Sequence, residues 1–191
     1  DLRQHFGDEK SLFGKGTTQA LTNLMLMRGT TRYTRAELAD AFDKLKITGG
    51  PSHFQTTREH LPEALKLVAH VLKEPAFPES EFEQLRQQLL VGIEAGRNEP
   101  QTAAVRALSQ HFNRYPRGDI RYSPSLDEQL EEARAAKVDQ VKAFHRDFYG
   151  ANPAEMAIVG DFDPQQVTPL VNELFGAWRA PQPSAPVLVA H

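Results

Sequence analysis

The stretch from Gly16 to Thr30, GTTQALTNLMLMRGT, constrains this chain more than any other. Apolar side chains at Ala20, Leu21, Leu24, Met25 and Met27 recur at helical spacing, so the stretch reads as a buried amphipathic helix. Thr17 or Thr18 is placed to cap its first turn, and Gly29 ends it. A second helix follows at Arg35–Lys46, where Thr34 and Glu37 form a Thr-x-x-Glu capping box.

A buried helix needs a core, and the chain is long enough to supply one. A chain of 191 residues buries roughly 70% of its extended-chain surface as a single domain. The formal net charge of -3 and pI near 6.2 argue against nucleic acid or an anionic membrane as partner, since either calls for a basic surplus. With no cysteine there are no disulfides, thiolate metal sites or thiol nucleophiles. No run approaches 18 apolar residues, so no membrane span is expected. The chain starts at Asp1 rather than Met, which points to a processed or excised piece.

The remaining elements follow in order. Leu2–Phe6 alternates as a short strand does, Ile47–Pro51 is a breaker cluster, and His53–Thr57 reads as a second strand. Helices are expected at Leu61–Lys73 (face Leu61, Leu65, Val68, Leu72), Glu79–Arg97 (Phe82, Leu85, Leu89, Val91, Ile93) and Gln101–Tyr115 (Ala104, Val105, Leu108, Phe112). Shorter helical pieces fall at Leu126–Ala133 and Val138–Tyr149. Glu155–Gly160 has the look of a buried strand, and Pro164–Phe175 of a helix capped by Asp163 with Gln166. Strands at both ends around a run of helices argue for an α+β domain over residues 1–179, with a mostly antiparallel sheet and helices packed on one face. Residues 180–191, opening Ala-Pro-Gln-Pro-Ser-Ala-Pro, read as a Pro-rich linker toward a following domain.

The order of these landmarks resembles the insulinase/pitrilysin-like (M16) zinc metallopeptidases. The helix ended by Met27-Arg28-Gly29-Thr30, the helix from Glu79 preceded by Lys73–Pro78, Phe144–Tyr149 followed by Ile158–Asp161, and Phe175–Trp178 before the Pro-rich stretch are similar to successive parts of an M16 domain. In the family's catalytic domain a His-x-x-Glu-His motif lies just upstream of the Gly-Thr pair. Counting back, its first histidine falls on Ala20, its glutamate on Asn23 and its second histidine on Leu24. Ala20 and Leu24 carry no donor atom, and an Asn amide is a poor zinc ligand and no base. Glu94 and Glu99 lie in the region of the family's downstream zinc-binding glutamate, but with both histidines replaced neither is assigned as a ligand.

The resemblance implies the leading domain of the non-catalytic half of a bacterial zinc protease. It implies no catalytic residue, no metal ligand and no cofactor in this chain, with zinc carried by a catalytic half in the same chain or a separate subunit. Family members close as two bowl-like halves around a chamber, so this domain is expected to help enclose a peptide or unfolded-protein substrate. The alternative is a structural or binding subunit of an M16-like protein with no peptidase activity. The compartment implied is the bacterial periplasm or cytoplasm, with the periplasm favoured.

Other signals have plainer readings. The seven histidines, at 5, 53, 60, 70, 111, 145 and 191, show no i,i+4 pair, and surface or structural roles are expected. Arg117-Gly118-Asp119 matches a cell-adhesion tripeptide but reads as a solvated loop, in which Arg114, Arg117 and Arg121 are mixed with acids. Asp127, Glu128, Glu131 and Glu132 lack a calcium-loop pattern and read as solvated helix surface. Gly14-Lys15-Gly16-Thr17-Thr18 lacks the spacing of a phosphate-binding loop, and no serine sits in a Gly-x-Ser-x-Gly elbow.

Overall fold

The computed structural model describes residues 1–152 and 154–188. The elements are β1 (Leu2–Gln4), α1 (Gly16–Met25), α2 (Arg35–Lys44), β2 (Thr48–Gly50), β3 (His53–Gln55), α3 (Leu61–Lys73), α4 (Glu79–Ala95), α5 (Pro100–His111), α6 (Leu126–Ala135), α7 (Val138–Phe148), β4 (Ala154–Met156) and α8 (Pro164–Phe175). The fold is α+β, mostly helical with small antiparallel sheets. β1 pairs with β4 in the register Leu2 to Met156, and β2 pairs with β3 as a hairpin. The backbone N–H of Leu2 donates to Ser52 O at 2.7 Å, which ties one ribbon to the other.

α3 is the central helix. It buries not only the expected Leu65, Val68 and Leu72 but also Ala64, Leu67, Ala69 and Val71, so nearly its whole circumference is covered. One contiguous core holds residues of α3 together with Leu21 and Met25 of α1, Leu38 and Phe42 of α2, Phe82 and Leu85 of α4, and Val141, Phe144 and Phe148 of α7. Pro62 sits in the first turn of α3, where its missing N–H costs no hydrogen bond.

The local signals are realised where backbone chemistry governs them. The Thr34–Glu37 capping box is formed: Glu37 N donates to Thr34 Oγ1 and Thr34 N to the Glu37 carboxylate. Gly29 takes φ +126°, closed to most L side chains, where a single 3-10 turn at Leu26–Arg28 ends α1.

Elsewhere the structure corrects the expectation. Neither Thr17 nor Thr18 caps α1; Lys15 occupies the cap without a side-chain bond, and Thr17 instead donates to Glu132 of α6. Ile47–Pro51 contains strand β2 as well as a turn, because its glycines pair across to β3. Asp163 caps α8 through Gln165 N, with no reciprocal bond from Gln166. α4 leaves the core beyond Leu89, with Val91 exposed. α5 buries no residue at all; Val105 and Leu108 on it and Phe112 just past its end are exposed.

Residues 180–188 form neither helix nor strand and lie along the domain. Ala180 is buried, with its N–H on Asn152 Oδ1, Gln182 N donates to Asp147 O, and Ala185 N donates to Gly7 O. Gly150 makes this crossing possible: a Cβ there would lie 2.1 Å from the backbone nitrogen of Ala180.

Candidate functional site

Three positions singled out by the count from Gly29 define the candidate site, and α1 carries all of them. Ala20, Asn23 and Leu24 occur at i, i+3 and i+4 and share one face. That face is not packed, contrary to the buried helix expected. Ala20 and Asn23 are exposed and Leu24 is 52% exposed, while Leu21, Thr22 and Met25 hold the helix to the core. The apolar count alone did not distinguish the two faces, because Ala20 and Leu24 are as hydrophobic as their buried neighbours.

Behind the open face stands α7. Tyr149, just past its end, is buried, yet its hydroxyl reaches α1 and donates to the Asn23 amide oxygen. Burial pushes the phenol well above its ordinary pKa, so it stays protonated and remains a donor. The ring packs at 4.8 Å from Phe6 and 4.7 Å from His145. His145 pairs its Nε2 with Leu72 O at 2.7 Å, and burial outweighs that bond, lowering its pKa. This aromatic support for α1 is the part of the site that the sequence reading missed. Its only trace was the Phe144–Tyr149 run.

A second cluster fixes the turn after α1. Thr30 Oγ1 accepts from Tyr33 N at 3.1 Å and lies 2.9 Å from His70 Nε2. His70 Nδ1 lies 3.5 Å from Glu74 Oε1, and Thr31 donates to the other Glu74 oxygen at 3.0 Å. The Thr31 bond, more than His70, holds the Glu74 carboxyl below its usual pKa. The Thr-His-Glu order imitates a nucleophile triad. Thr30, however, is buried with its oxygen already accepting backbone bonds, and the cluster ties α1 to α3.

Most of the remaining candidates have partners. His53 pairs with the Asp1 carboxylate, His60 with Thr57, and His5 lies near Glu155; His191 lies outside the described residues. Asp119 of the adhesion-like tripeptide is buried and chelated by Arg121, which also meets Glu9 and lies over the Tyr115 ring. That pairing lowers the Asp119 pKa and leaves its carboxylate unavailable to a receptor, so the loop is built rather than solvated. In the acidic cluster, Asp127 pairs with Arg97, Glu131 with Arg117 and Glu132 with Thr17, and Glu128 closes a capping box with Ser125. Glu94 and Glu99 are exposed, and Glu94 pairs with Arg97. Among the described residues no group of three or more His, Cys, Asp or Glu is placed to hold a metal ion. Ala20, Asn23 and Leu24 do not fit zinc: two are hydrocarbon, and the third spends its oxygen on Tyr149.

A family profile described as the peptidase M16 inactive domain matches residues 135–190. The fold matches the crystal structure of a peptidase M16 inactive domain from Pseudomonas fluorescens, with TM-score 0.70 and 23% identity over 93% of this chain and 46% of that one. The chain is M16-like in fold, and in sequence over residues 135–190. A protease from Helicobacter pylori matches this M16-like domain with TM-score 0.77 and 16% identity, over 96% of this chain and 46% of that one. The periplasmic protease PqqL from Escherichia coli matches with TM-score 0.71 and 12% identity, over 98% of this chain and 22% of that one. The domain thus spans less than half the length of each of these structures. No curated protein sequence matches it. Among the described residues no helix is long and apolar enough to cross a membrane.

Proposed function

We propose that this domain is a non-catalytic part of an M16-type zinc protease and forms part of the wall that encloses a peptide substrate. The observation that carries the reading is the open α1 face. Where the family's motif aligns, the chain presents Ala20, Asn23 and Leu24, with the amide held by Tyr149. An unpacked helix face is a surface for something else to meet, and these side chains offer shape without metal chemistry. The outward row of Val105 and Leu108 on α5 and Phe112 just past its end supports a further protein neighbour, for which a zinc-bearing M16 half is the candidate.

Such a wall contributes to rate through geometry. A peptide gains rate at a distant zinc only when it is positioned against the metal-bound water, and a closed chamber orients it while limiting its size. In this reading residues 1–179 are the M16-like domain, residues 180–191 lead toward a following domain, and the peptidase chemistry lies in the zinc-bearing half. The likeness to PqqL, a periplasmic protease, supports a periplasmic setting.

The test is peptide hydrolysis by the zinc-bearing half that occurs with this domain in its parent protein or operon, assayed with and without it. A fall in kcat/KM on removal of the domain, with zinc content of the catalytic half unchanged, is the expected result. Equal rates on the same peptides would sink the enclosing role.

A further inference from the structure

Among the described residues four arginines are half-buried: Arg28, Arg86, Arg106 and Arg121. Three of them have an acid beside them. Arg28 pairs with Glu81, Arg86 with Glu83, and Arg121 with Asp119 and Glu9. Arg106, on α5, has no ion-pair partner among the described residues. A guanidinium drawn partly out of water without a counter-charge is left with a desolvation cost that a bound anion offsets.

The surroundings of Arg106 form a groove of about 510 Å³ between α5 and the start of α6. Thr102 and Ser109 line it from α5, and Ser123 and Gln129 from the other side. The hydroxyls of Thr102, Ser109 and Ser123 make no hydrogen bond among the described residues. Charge along this stretch has one sign: from Pro100 to Gly118 the chain carries Arg106, Arg114 and Arg117 and no acid, although its net charge is -3. Glu99, which also lines the groove, is exposed and forms no ion pair with Arg106 among the described residues.

We infer that this groove is a peptide subsite selective for an acidic side chain, with the carboxylate of a Glu or Asp on Arg106 and the peptide main chain on the hydroxyls beside it. A guanidinium takes a carboxylate through two parallel N–H bonds, which a neutral side chain cannot reproduce. Position along α5 separates a side chain from a chain end. Thr102 and Ser109 lie about one turn to either side of Arg106 on the same face, so groups that bind main chain continue past the guanidinium in both directions. The carboxylate therefore belongs to a residue within the peptide. This inference rests on the reading of the domain as part of a substrate-enclosing wall and adds to it the class of substrate, peptides with an internal acid.

The test uses this chain and fluorescein-labelled nonapeptides of Gly, Ser and Thr, amidated at the C-terminus, with Glu or Gln at the central position. Binding is read by fluorescence anisotropy at low ionic strength. The Glu peptide is expected to bind at least about tenfold more tightly than the Gln peptide. Arg106→Gln removes that preference with an unchanged circular dichroism spectrum, and Arg106→Lys, a point charge without the fork, keeps part of it. Arg114→Gln, at an exposed arginine that does not line the groove, leaves the preference intact. Equal affinity for the two peptides overturns the proposal, as does a preference that survives Arg106→Gln. Tight binding only by a Gln peptide with a free C-terminal carboxylate also overturns it, since the site would then take a chain end. Because this binding is read without the zinc-bearing half, its failure leaves the enclosing role standing, and equal hydrolysis rates would remove the wall but not an Arg106-dependent preference.

Discussion

Tyr149 donates its hydroxyl to the amide oxygen of Asn23, joining the end of α7 to the open face of α1. The buried member of this pair is the tyrosine, and its partner stands at the solvent edge. Tyr149→Phe keeps the ring against Phe6 and His145 and removes only the donor, so a loss of about 1 kcal/mol is expected. Asn23→Ala alone and the double variant complete a cycle by urea denaturation. A coupling energy indistinguishable from zero would show that the contact contributes nothing to holding α1.

The open face makes a second outcome accessible. Ala20 and Leu24 are exposed at i, i+4, so Ala20→His, Asn23→Glu and Leu24→His together place two imidazoles on one helix turn without disturbing Leu21 or Met25. The triple variant is expected to fold with an unchanged circular dichroism spectrum and to retain about one equivalent of zinc after dialysis, removable by chelator. The native chain under the same dialysis retains essentially none. Tight retention of zinc by the native chain would overturn the assignment of Ala20, Asn23 and Leu24 as the aligned positions.

Stability should also respond to pH through His145. Burial among α3 and α7 lowers its folded pKa below the unfolded value near 6.5, against the opposing pull of the Leu72 carbonyl. Below pH 6.5 the unfolded chain takes up a proton that the native state refuses, so stability is full above that pH. It declines as pH falls toward the folded pKa, by at most about 1.4 kcal/mol per pH unit. His145→Gln keeps a side-chain donor for Leu72 and cannot titrate. Its Tm is expected to fall less than the native Tm between pH 7 and pH 5.5, and parallel curves would show that His145 carries none of the dependence.

These three cases mark what the sequence made legible. Boundaries of α3 and the capping box of α2 depend on residues within one turn of each other, so Leu61–Lys73 and Thr34–Glu37 read directly. Which side of α1 faces the core depends on α7, more than 100 residues away, and spacing alone placed Leu24 inside. α4 and α5 form where the spacing put them, but the burial of their apolar faces was not legible for the same reason: Val91, Val105 and Leu108 follow the helical period and are exposed. Likewise Glu155–Gly160 alternates throughout, while the strand itself is Ala154–Met156, set by its pairing with β1 more than 150 residues earlier. The count from Gly29 to Ala20, Asn23 and Leu24 needed only neighbouring residues, whereas the hydroxyl that holds Asn23 needed the fold.

Gly150 shows how severe such a non-local demand becomes. It lies directly after Tyr149, where the chain passes under the backbone of Arg179 and Ala180, and Ala151 N donates to Trp178 O at 2.9 Å. A methyl at Gly150 would lie 2.7 Å from the Arg179 carbonyl carbon as well as 2.1 Å from Ala180 N. Neither neighbour is a flexible side chain that can rotate away, so the strap must lift. Gly150→Ala is therefore expected to cost about 2 kcal/mol or more, in the range of overpacking into a closed site. The loss should be accompanied by faster amide exchange at Ala151 and Ala180, because the bonds crossing the strap open first. Gly14→Ala is the control: nothing lies within 4 Å of its added methyl, although φ +72° brings its own backbone strain. If Gly150→Ala matches Gly14→Ala in Tm and leaves exchange at Ala180 unchanged, the close crossing of residues 150 and 180 is not part of the stable fold.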